Sequence, residues 1–345
     1  MLDSGVDKNA VDLRGQVLDG ADYSEQKGDE HTDLVDHGTQ MAALIAATGA
    51  SGKNFGTYGL APDAKILPVR LPYEWERNTG KEKGFTEKMA LAIRFAADSD
   101  AKIINISMSG PMSSPKLTAA VNYALGKGKL IFAAVGNSGD LRNETRYPAA
   151  TPGVIGVAGV DRHAKPYKDS QWGPQVDLAA PAVDVVSACP NGSQICGGNG
   201  TSMATALASA SAALLWSQHP DWTNYQVLRV LLQTASGNDK GLSRDDVIGY
   251  GVVRPRIALT EPGDPGPADE YPLPDLAAKA PASPSAQPSH PAKGSAEPAA
   301  GPAASDGGDS SSAPTAGIAI GVGAAVLLGV VVAVWAVRGR RSRTA

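Results

Sequence analysis

Residues 200–220, GTSMATALASASAALLWSQHP, contain no Asp, Glu, Lys or Arg and end at His219-Pro220, so they predict one long buried helix. Small side chains along this helix would let neighbouring elements approach closely. Ser202 falls at its start, where backbone N–H groups lack partners and the helix dipole is positive. A hydroxyl there is well placed to build up negative charge on a reacting oxygen, although Thr201 or Ser202 could equally be an N-cap.

Short apolar runs alternate with helix-like segments through the first 260 residues. This alternation predicts βαβ units in a mostly parallel sheet that is covered on both faces. The predicted strands are 65–71, 101–107, 129–135, 154–160, 176–180 and 183–188, and the other predicted helices follow His37-Gly38-Thr39 and cover 85–98, 115–127 and 223–235. Active groups of such folds gather at the carboxyl ends of the strands, where Asp3, Ser107 and Asn137 fall.

Four residues could form an acyl-transfer site, which requires a nucleophile, a base, a group that orients the base, and donors for the oxyanion. Ser202 would attack the carbonyl, and His37 would take its proton and pass it to the leaving amine. Asp3 would hold the tautomer of the imidazole. The side-chain amide of Asn137 and the backbone N–H of Ser202 would bind the developing negative oxygen.

Each of these residues also has an ordinary structural interpretation. Asp-Ser-Gly and Gly-Asn are common turns, and His37 alone could cap a helix. Asp33 and Asp36 lie closer to His37 along the chain, but their acid-rich loop, residues 19–36, predicts that they are solvated. The other four histidines lack a Gly-Thr context and are expected at the surface. The joint occurrence of all four candidates, each at an element boundary, favours the catalytic interpretation.

The composition excludes some classes of function. With 31 basic and 35 acidic residues among 345, the chain lacks the electrostatic footprint of a nucleic-acid binder. Its two cysteines, Cys189 and Cys196, are too few for a zinc site, and their closeness favours a local disulfide over two free thiols. No cofactor is expected; structural calcium could bind in the acidic loop, but the spacing there assigns no ligands.

Six motifs occur in one order: DSG (3–5), HGT (37–39), GLAP (59–62), IINIS (103–107), AAVGN (133–137) and GTSMA (200–204). Together they resemble the subtilisin-like serine proteases, whose catalytic residues follow the order Asp, His, Ser. The resemblance covers about residues 1–260 and includes the closing segment Tyr250-Gly251-Val252-Val253. It implies a three-layer α/β, subtilisin-like fold with a mostly parallel central sheet, and a serine endopeptidase activity.

The resemblance also implies a substrate cleft and shows three departures from the family. The strand that lines the cleft would be Ser107, Met108, Ser109 and Gly110. Ser109 replaces a glycine of the family there, so its side chain would narrow the cleft and change specificity. Ala206 stands where the family usually has Pro, and Ala fits a helix without strain. Ala43 stands where the family usually has Gly, which would shift the local packing slightly.

The composition of the sequence changes after Thr260. Residues 261–315 are rich in Pro, Ala, Ser and Gly without hydrophobic periodicity, which predicts a disordered linker. Residues 316–337 carry no charge and are long enough for a transmembrane helix. The basic residues 338–345 then predict a cytoplasmic tail and a catalytic domain outside the cell membrane. This architecture is similar to that of mycosins, the membrane-anchored subtilases of type VII secretion.

The beginning of the chain raises a separate expectation. Only Met1 and Leu2 precede Asp3, whereas a core strand usually runs about five residues. We therefore expect the natural protein to begin upstream, with a signal peptide and the rest of the first strand. Without that strand, Asp3 is expected to be poorly fixed.

The sequence thus predicts a membrane-anchored serine endopeptidase that acts on protein or peptide substrates, with type VII secretion machinery as a potential partner. The alternative from another class is a protease-like structural component of that membrane complex. An acid-acting relative with Glu in place of His is disfavoured by His37-Gly38-Thr39. A carbohydrate or lipid hydrolase is disfavoured because no Gly-x-Ser-x-Gly motif surrounds Ser202.

Overall fold

A parallel sheet of seven strands is the centre of the computed structural model, which describes residues 1–52, 56–73, 81–188, 195–237 and 243–277. In chain order the strands are β1 (Leu2–Asp3), β2 (Ala21–Asp22), β3 (Val69–Arg70), β4 (Ile103–Ile106), β5 (Leu130–Ala134), β6 (Ile155–Val160) and β7 (Leu178–Pro181). Their order across the sheet is β2-β3-β1-β4-β5-β6-β7, and neighbours pair in parallel. The antiparallel strands β8 (Val185–Ala188) and β9 (Ile195–Gly198) form a separate ribbon.

Helices cover both faces of this sheet. They are α1 (His37–Ala46), α2 (Lys81–Asp98), α3 (Pro115–Gly126), α4 (Thr201–Gln218), α5 (Asn224–Thr234), α6 (Pro255–Thr260) and α7 (Pro274–Ala277). On β5, Ile131 packs in a core with α2 and α3, whereas its neighbour Phe132 packs in the core that contains α4 and α5. This alternation reflects the period of two of a strand buried on both faces. The expected three-layer α/β architecture with a mostly parallel sheet is confirmed.

Helix α4 is buried, as its composition predicts. Ala204 and Ala208 face the sheet, and Ala206 and Ala210 face α1. Some hydroxyl groups inside this apolar setting bond within the helix; the Thr205 Oγ1 hydroxyl, for example, donates to the Thr201 carbonyl at 2.7 Å. Small side chains therefore allow α4 to pack against two layers at once.

The acidic loop, residues 19–36, differs from its expectation. It contributes strand β2, and the segment around it folds over the fully buried side chain of Arg70. The Arg70 guanidinium lies 3.3 Å from the Asp22 carboxylate and donates to the carbonyls of Lys27 and Asp29, each at 3.2 Å. The prediction of a loop solvated throughout was therefore wrong. The loop folds around Arg70 of β3, and the sequence pattern does not indicate that this arginine is buried.

Residues 261–277 also differ from their expectation, and we call them the C-terminal strap. The Arg229 side chain of α5 donates to the carbonyls of Pro265, Pro267 and Glu270 at 2.6, 3.0 and 2.5 Å. The strap residue Leu273 is only 2% exposed. A proline-rich backbone leaves its carbonyls without internal partners, and here side-chain donors of α5 bind them. For these residues the prediction of a disordered linker was therefore wrong.

The remaining C-terminal predictions lie outside the described residues. These are the rest of the linker from 278, the transmembrane helix over 316–337 and the basic tail over 338–345. Within the part of the chain that the structure describes, no helix has the length and apolar character to cross a bilayer. Cys189 is likewise outside the described residues, and Cys196 lies on β9, so their disulfide stays a prediction.

Candidate active site

The carboxylate of Asp3 holds the imidazole of His37. Asp3 ends β1 and is 1% exposed, and its Oδ1 lies 2.6 Å from His37 Nδ1 at the first residue of α1. The same oxygen accepts the backbone N–H of Ser4 at 2.8 Å. The expectation that Asp3 is poorly fixed is therefore wrong for this structure. With Nδ1 bonded to Asp3, the Nε2 atom of His37 remains for a second partner.

The electrostatic setting makes His37 a better base. Burial lowers the pKa of His37, but the charge and hydrogen bond of Asp3, together with the charge of Asp33, outweigh it and raise the pKa above 6.5. The imidazolium form, which a general base passes through, is thereby stabilised.

Asp33 joins the DSG and HGT motifs. Its Oδ1 accepts the Ser4 hydroxyl at 2.8 Å, and its Oδ2 accepts the backbone N–H and hydroxyl of Thr39 at 2.8 and 2.7 Å. Gly38 allows this close approach, since a Cβ there would lie 2.0 Å from the Gly5 carbonyl oxygen. The prediction that Asp33 is solvated was therefore wrong. The sequence of an acid-rich loop does not show that the fold brings the donors of Ser4 and Thr39 to this carboxylate.

Asn137 and Ser202 meet at the start of α4. Asn137 Oδ1 accepts the backbone N–H of Thr201 at 2.8 Å and its hydroxyl at 3.1 Å. A Cβ on Gly200 would lie 3.2 Å from Ser202 Oγ and 3.5 Å from Asn137 Nδ2, so the hydroxyl and the amide border the same small space. Because the amide oxygen is already bonded, the NH₂ group is left to donate to a ligand.

A chain of hydrogen-bonded hydroxyl and amide groups reaches the backbone carbonyl of Ser202. The Ser107 hydroxyl donates to the Ser202 carbonyl at 3.0 Å, and Asn105 Nδ2 donates to Ser107 Oγ at 3.0 Å. The Ser209 hydroxyl of α4 in turn donates to Asn105 Oδ1 at 3.0 Å. Asn105 and Ser209 were not predicted as site residues, because their only signal in the sequence is polarity inside otherwise apolar runs.

The four predicted cleft residues have different surroundings. Ser107 and Ser109 line a cavity of about 330 Å³ together with Asn137. Met108 is buried in the core with α2 and α3 rather than facing the cavity. The backbone of Gly110 exchanges two 2.8 Å hydrogen bonds with Tyr147, so its N–H and carbonyl are already paired. Ser107 and Ser109 therefore border this cavity and Met108 and Gly110 do not, and the substrate cleft formed by these four residues stays a prediction.

His31 is not at the surface as expected. Its side chain is 8% exposed, and its Nε2 lies 3.3 Å from both Asp19 Oδ1 and Glu30 Oε1. These three side chains could hold a metal ion, but an imidazole among the ligands does not favour calcium, which prefers oxygen ligands. The His31 ring nitrogen already contacts both carboxylates directly.

The two halves of the site lie on packed elements. His37 and Ser202 occupy the first turns of α1 and α4, and these helices share a buried core. Asp3 and His37 are in direct contact, and Ser202 and Asn137 border one space, in the Asp, His, Asn, Ser order of the motifs.

Comparison with known proteins agrees with this arrangement. The sequence model that describes the subtilase family matches residues 1–251 of this chain. The chain belongs to the subtilase family. The Thermophilic serine proteinase of Bacillus sp. (strain AK1) is 36% identical over 260 residues, which are 75% of this chain and 61% of that protein. Subtilisin E of Bacillus subtilis (strain 168) is 33% identical over 245 residues, 68% of this chain and 59% of that protein.

The solved structures that resemble this subtilase include one from a secretion system. The MycP3 protease from the type VII (ESX-3) secretion system has a TM-score of 0.66 and 32% identity, covering 75% of this chain and 81% of that one. The chain therefore spans most of that mycosin structure, but only 61% and 59% of the two curated relatives.

Proposed function

We propose that this subtilase is a serine endopeptidase with Ser202 as nucleophile, His37 as general base and Asp3 as the group that orients the base. The observation that carries this proposal is the 2.6 Å contact between Asp3 Oδ1 and His37 Nδ1. His37 lies on a helix that packs against the helix whose first turn carries Ser202. Membership of the subtilase family supports the same assignment.

The proposed reaction proceeds in two halves. Ser202 Oγ attacks the carbonyl carbon of the scissile peptide bond as its proton passes to His37 Nε2. Asn137 Nδ2 and the backbone N–H of Ser202 stabilise the resulting oxyanion. His37 then protonates the leaving amine, and the peptide C–N bond breaks to leave an acyl-enzyme. A water molecule attacks the ester with His37 again as base, which releases the carboxylic acid and restores Ser202.

Replacement of the proposed nucleophile tests this assignment. Ser202→Ala should abolish labelling by a fluorophosphonate probe and lower peptidase activity by about 10³-fold or more. The matched control is Ser217→Ala, which removes an exposed hydroxyl from the same helix. Wild-type turnover by the Ser202→Ala variant would show that another residue attacks the substrate.

We further propose that residues 316–337 anchor this enzyme in the cell membrane, with the peptidase domain outside and the basic tail in the cytoplasm. The long uncharged segment followed by four arginines supports this topology. A chain ending at residue 315 should be released from membranes by alkaline carbonate, whereas the full chain should remain. Retention of the shortened chain would contradict the anchor.

The similarity to a type VII secretion protease favours a second candidate role, as a component of such a secretion complex. A chain carrying Ser202→Ala distinguishes this role from catalysis. If the domain serves assembly, this variant should copurify with the machinery and support secretion in cells that lack the wild-type protein. Loss of secretion with normal amounts of the variant would show that cleavage itself is required.

A further inference from the structure

The cavity beside Asn137 contains one charged side chain. Of the residues that line its approximately 330 Å³, the others are small or neutral, and Arg146 alone carries a charge. The cavity lies next to Thr201 and Asn137, and therefore next to the space bordered by the Ser202 hydroxyl. A substrate side chain adjacent to the scissile bond would enter here.

Arg146 is built into the wall rather than lying on the surface. It is 6% exposed, and a Cβ on Gly136 would lie 3.0 Å from Arg146 Cγ, so the glycine leaves room for the arginine stem. Glu144 Oε2 lies 3.6 Å from Arg146 Nη2, but the Glu144 side chain is far more exposed than that of Arg146. Solvent screens a carboxylate in that position more than it screens the buried guanidinium, so Glu144 offsets the Arg146 charge only in part.

Ser138 adds a second donor to the same cavity. Its Oγ is buried and makes no hydrogen bond to any residue that the structure describes. Buried hydroxyl groups are usually paired, so one that lines a cavity indicates a polar ligand group. A carboxylate accepts hydrogen bonds from both a hydroxyl and a guanidinium, and bonds between charged groups are stronger than neutral ones.

We propose that this cavity receives the side chain on the acyl side of the scissile bond, and that Arg146 and Ser138 select an acidic side chain there. The inference rests on the proposed peptidase function and names its substrate class. A lysine side chain is repelled by Arg146, and an aliphatic one offers no acceptor to the Ser138 hydroxyl. Glutamine fills the same volume as glutamate but lacks the charge.

Peptides that differ only at this position test the proposal. The kcat/KM for glutamate should exceed that for glutamine by about tenfold, with lysine cleaved most slowly. Arg146→Met should remove the preference for glutamate over glutamine, while Ser138→Ala should weaken the preference less. Arg162→Met, at an exposed position, is the matched control and should leave the profile unchanged.

A binding measurement separates failure of this inference from failure of the proposed function. In the Ser202→Ala background, titration calorimetry compares product peptides that end in glutamate and in glutamine, so no turnover is needed. Tighter binding of the glutamate peptide, lost on Arg146→Met but kept on Arg146→Lys, supports the inference even if no peptide is cleaved. Equal affinities overturn it, as does an unchanged cleavage profile in an Arg146→Met variant with a wild-type unfolding temperature.

Discussion

At the scale of single residues, Asp33 affects the proposed base without touching it. It accepts the hydroxyl of Ser4, which follows Asp3, and the backbone N–H of Thr39, two residues after His37. Its charge also contributes to raising the pKa of His37, after the larger effects of burial and Asp3. Asp33 is therefore a positioning residue that also tunes the charge of the base.

Asp33→Asn should move the acid limb of the pH profile of kcat/KM to lower pH. The Asp33 charge raises the pKa of His37, so its removal lowers that pKa, and the unprotonated base persists to lower pH. Asp36→Asn is the control, because Asp36 is not among the groups that shift His37 and its φ of 64° suits asparagine. A shift to higher pH in Asp33→Asn would contradict the assigned electrostatics.

At the scale of elements, the sequence predicts the helices whose apolar residues repeat at a regular spacing, but not the segments that single side-chain contacts hold in place. Helices α2, α3 and α5 lie within a few residues of their predicted bounds because their apolar spacing repeats. Strand β2 and the C-terminal strap have no such period. Their places depend on the donors of Arg70 and Arg229, which come from elsewhere in the chain. The proposed catalytic residues were predictable from the motifs, whereas the contacts of Asp33 with Ser4 and of Asn105 with Ser209 depend on partners distant in sequence.

Arg229→Met should loosen the C-terminal strap without changing the catalytic site. The substitution keeps the apolar stem but removes the donors to three strap carbonyls. Amide hydrogen exchange of residues 261–277 should become faster, while kcat/KM on a short peptide stays unchanged. Arg256→Met, an exposed position on α6, is the matched control. Unaltered exchange in Arg229→Met would show that the remaining contacts, which include the buried Leu273 and the hydrogen bonds from Gln226 and Gln233, hold the strap without Arg229.

At the scale of the whole molecule, the strap places the carboxyl group of Asp275 on the same cavity as the carboxyl group of Asp177. Asp275 Oδ2 accepts the backbone N–H of Gly153 at 2.6 Å, and Asp177 Oδ2 accepts that of Gly156 at 2.9 Å. Both side chains line one cavity of about 290 Å³. Asp177 as a residue is half-buried, but burial of its carboxyl group raises its pKa to about 8. The hydrogen bond from Gly156 and the charge of Arg244 lower this pKa, whereas the charge of Asp275 raises it further.

This raised pKa predicts how the stability of the whole domain depends on pH. The folded state keeps the Asp177 proton up to about pH 8, whereas the unfolded chain releases it near 3.8. Above the unfolded pKa the folded state binds more protons, so the contribution of Asp177 to the unfolding free energy falls as pH rises between these values. The slope from one group is at most about 1.4 kcal/mol per pH unit.

Urea unfolding at pH 5, 7 and 9 checks this prediction against Asp177→Asn. Asparagine is neutral at every pH and keeps an oxygen for the Gly156 N–H, so the variant should lose less stability than the wild type as pH rises. The control is Asp161→Asn at a partly exposed position, where backbone hydrogen bonds lower the pKa of the carboxyl group. The contribution of Asp161 is lost only as pH falls through that lowered pKa, so this variant should follow the wild-type pH dependence from pH 5 to 9. Parallel curves for the wild type and Asp177→Asn would mean that Asp177 is ionised in the folded protein.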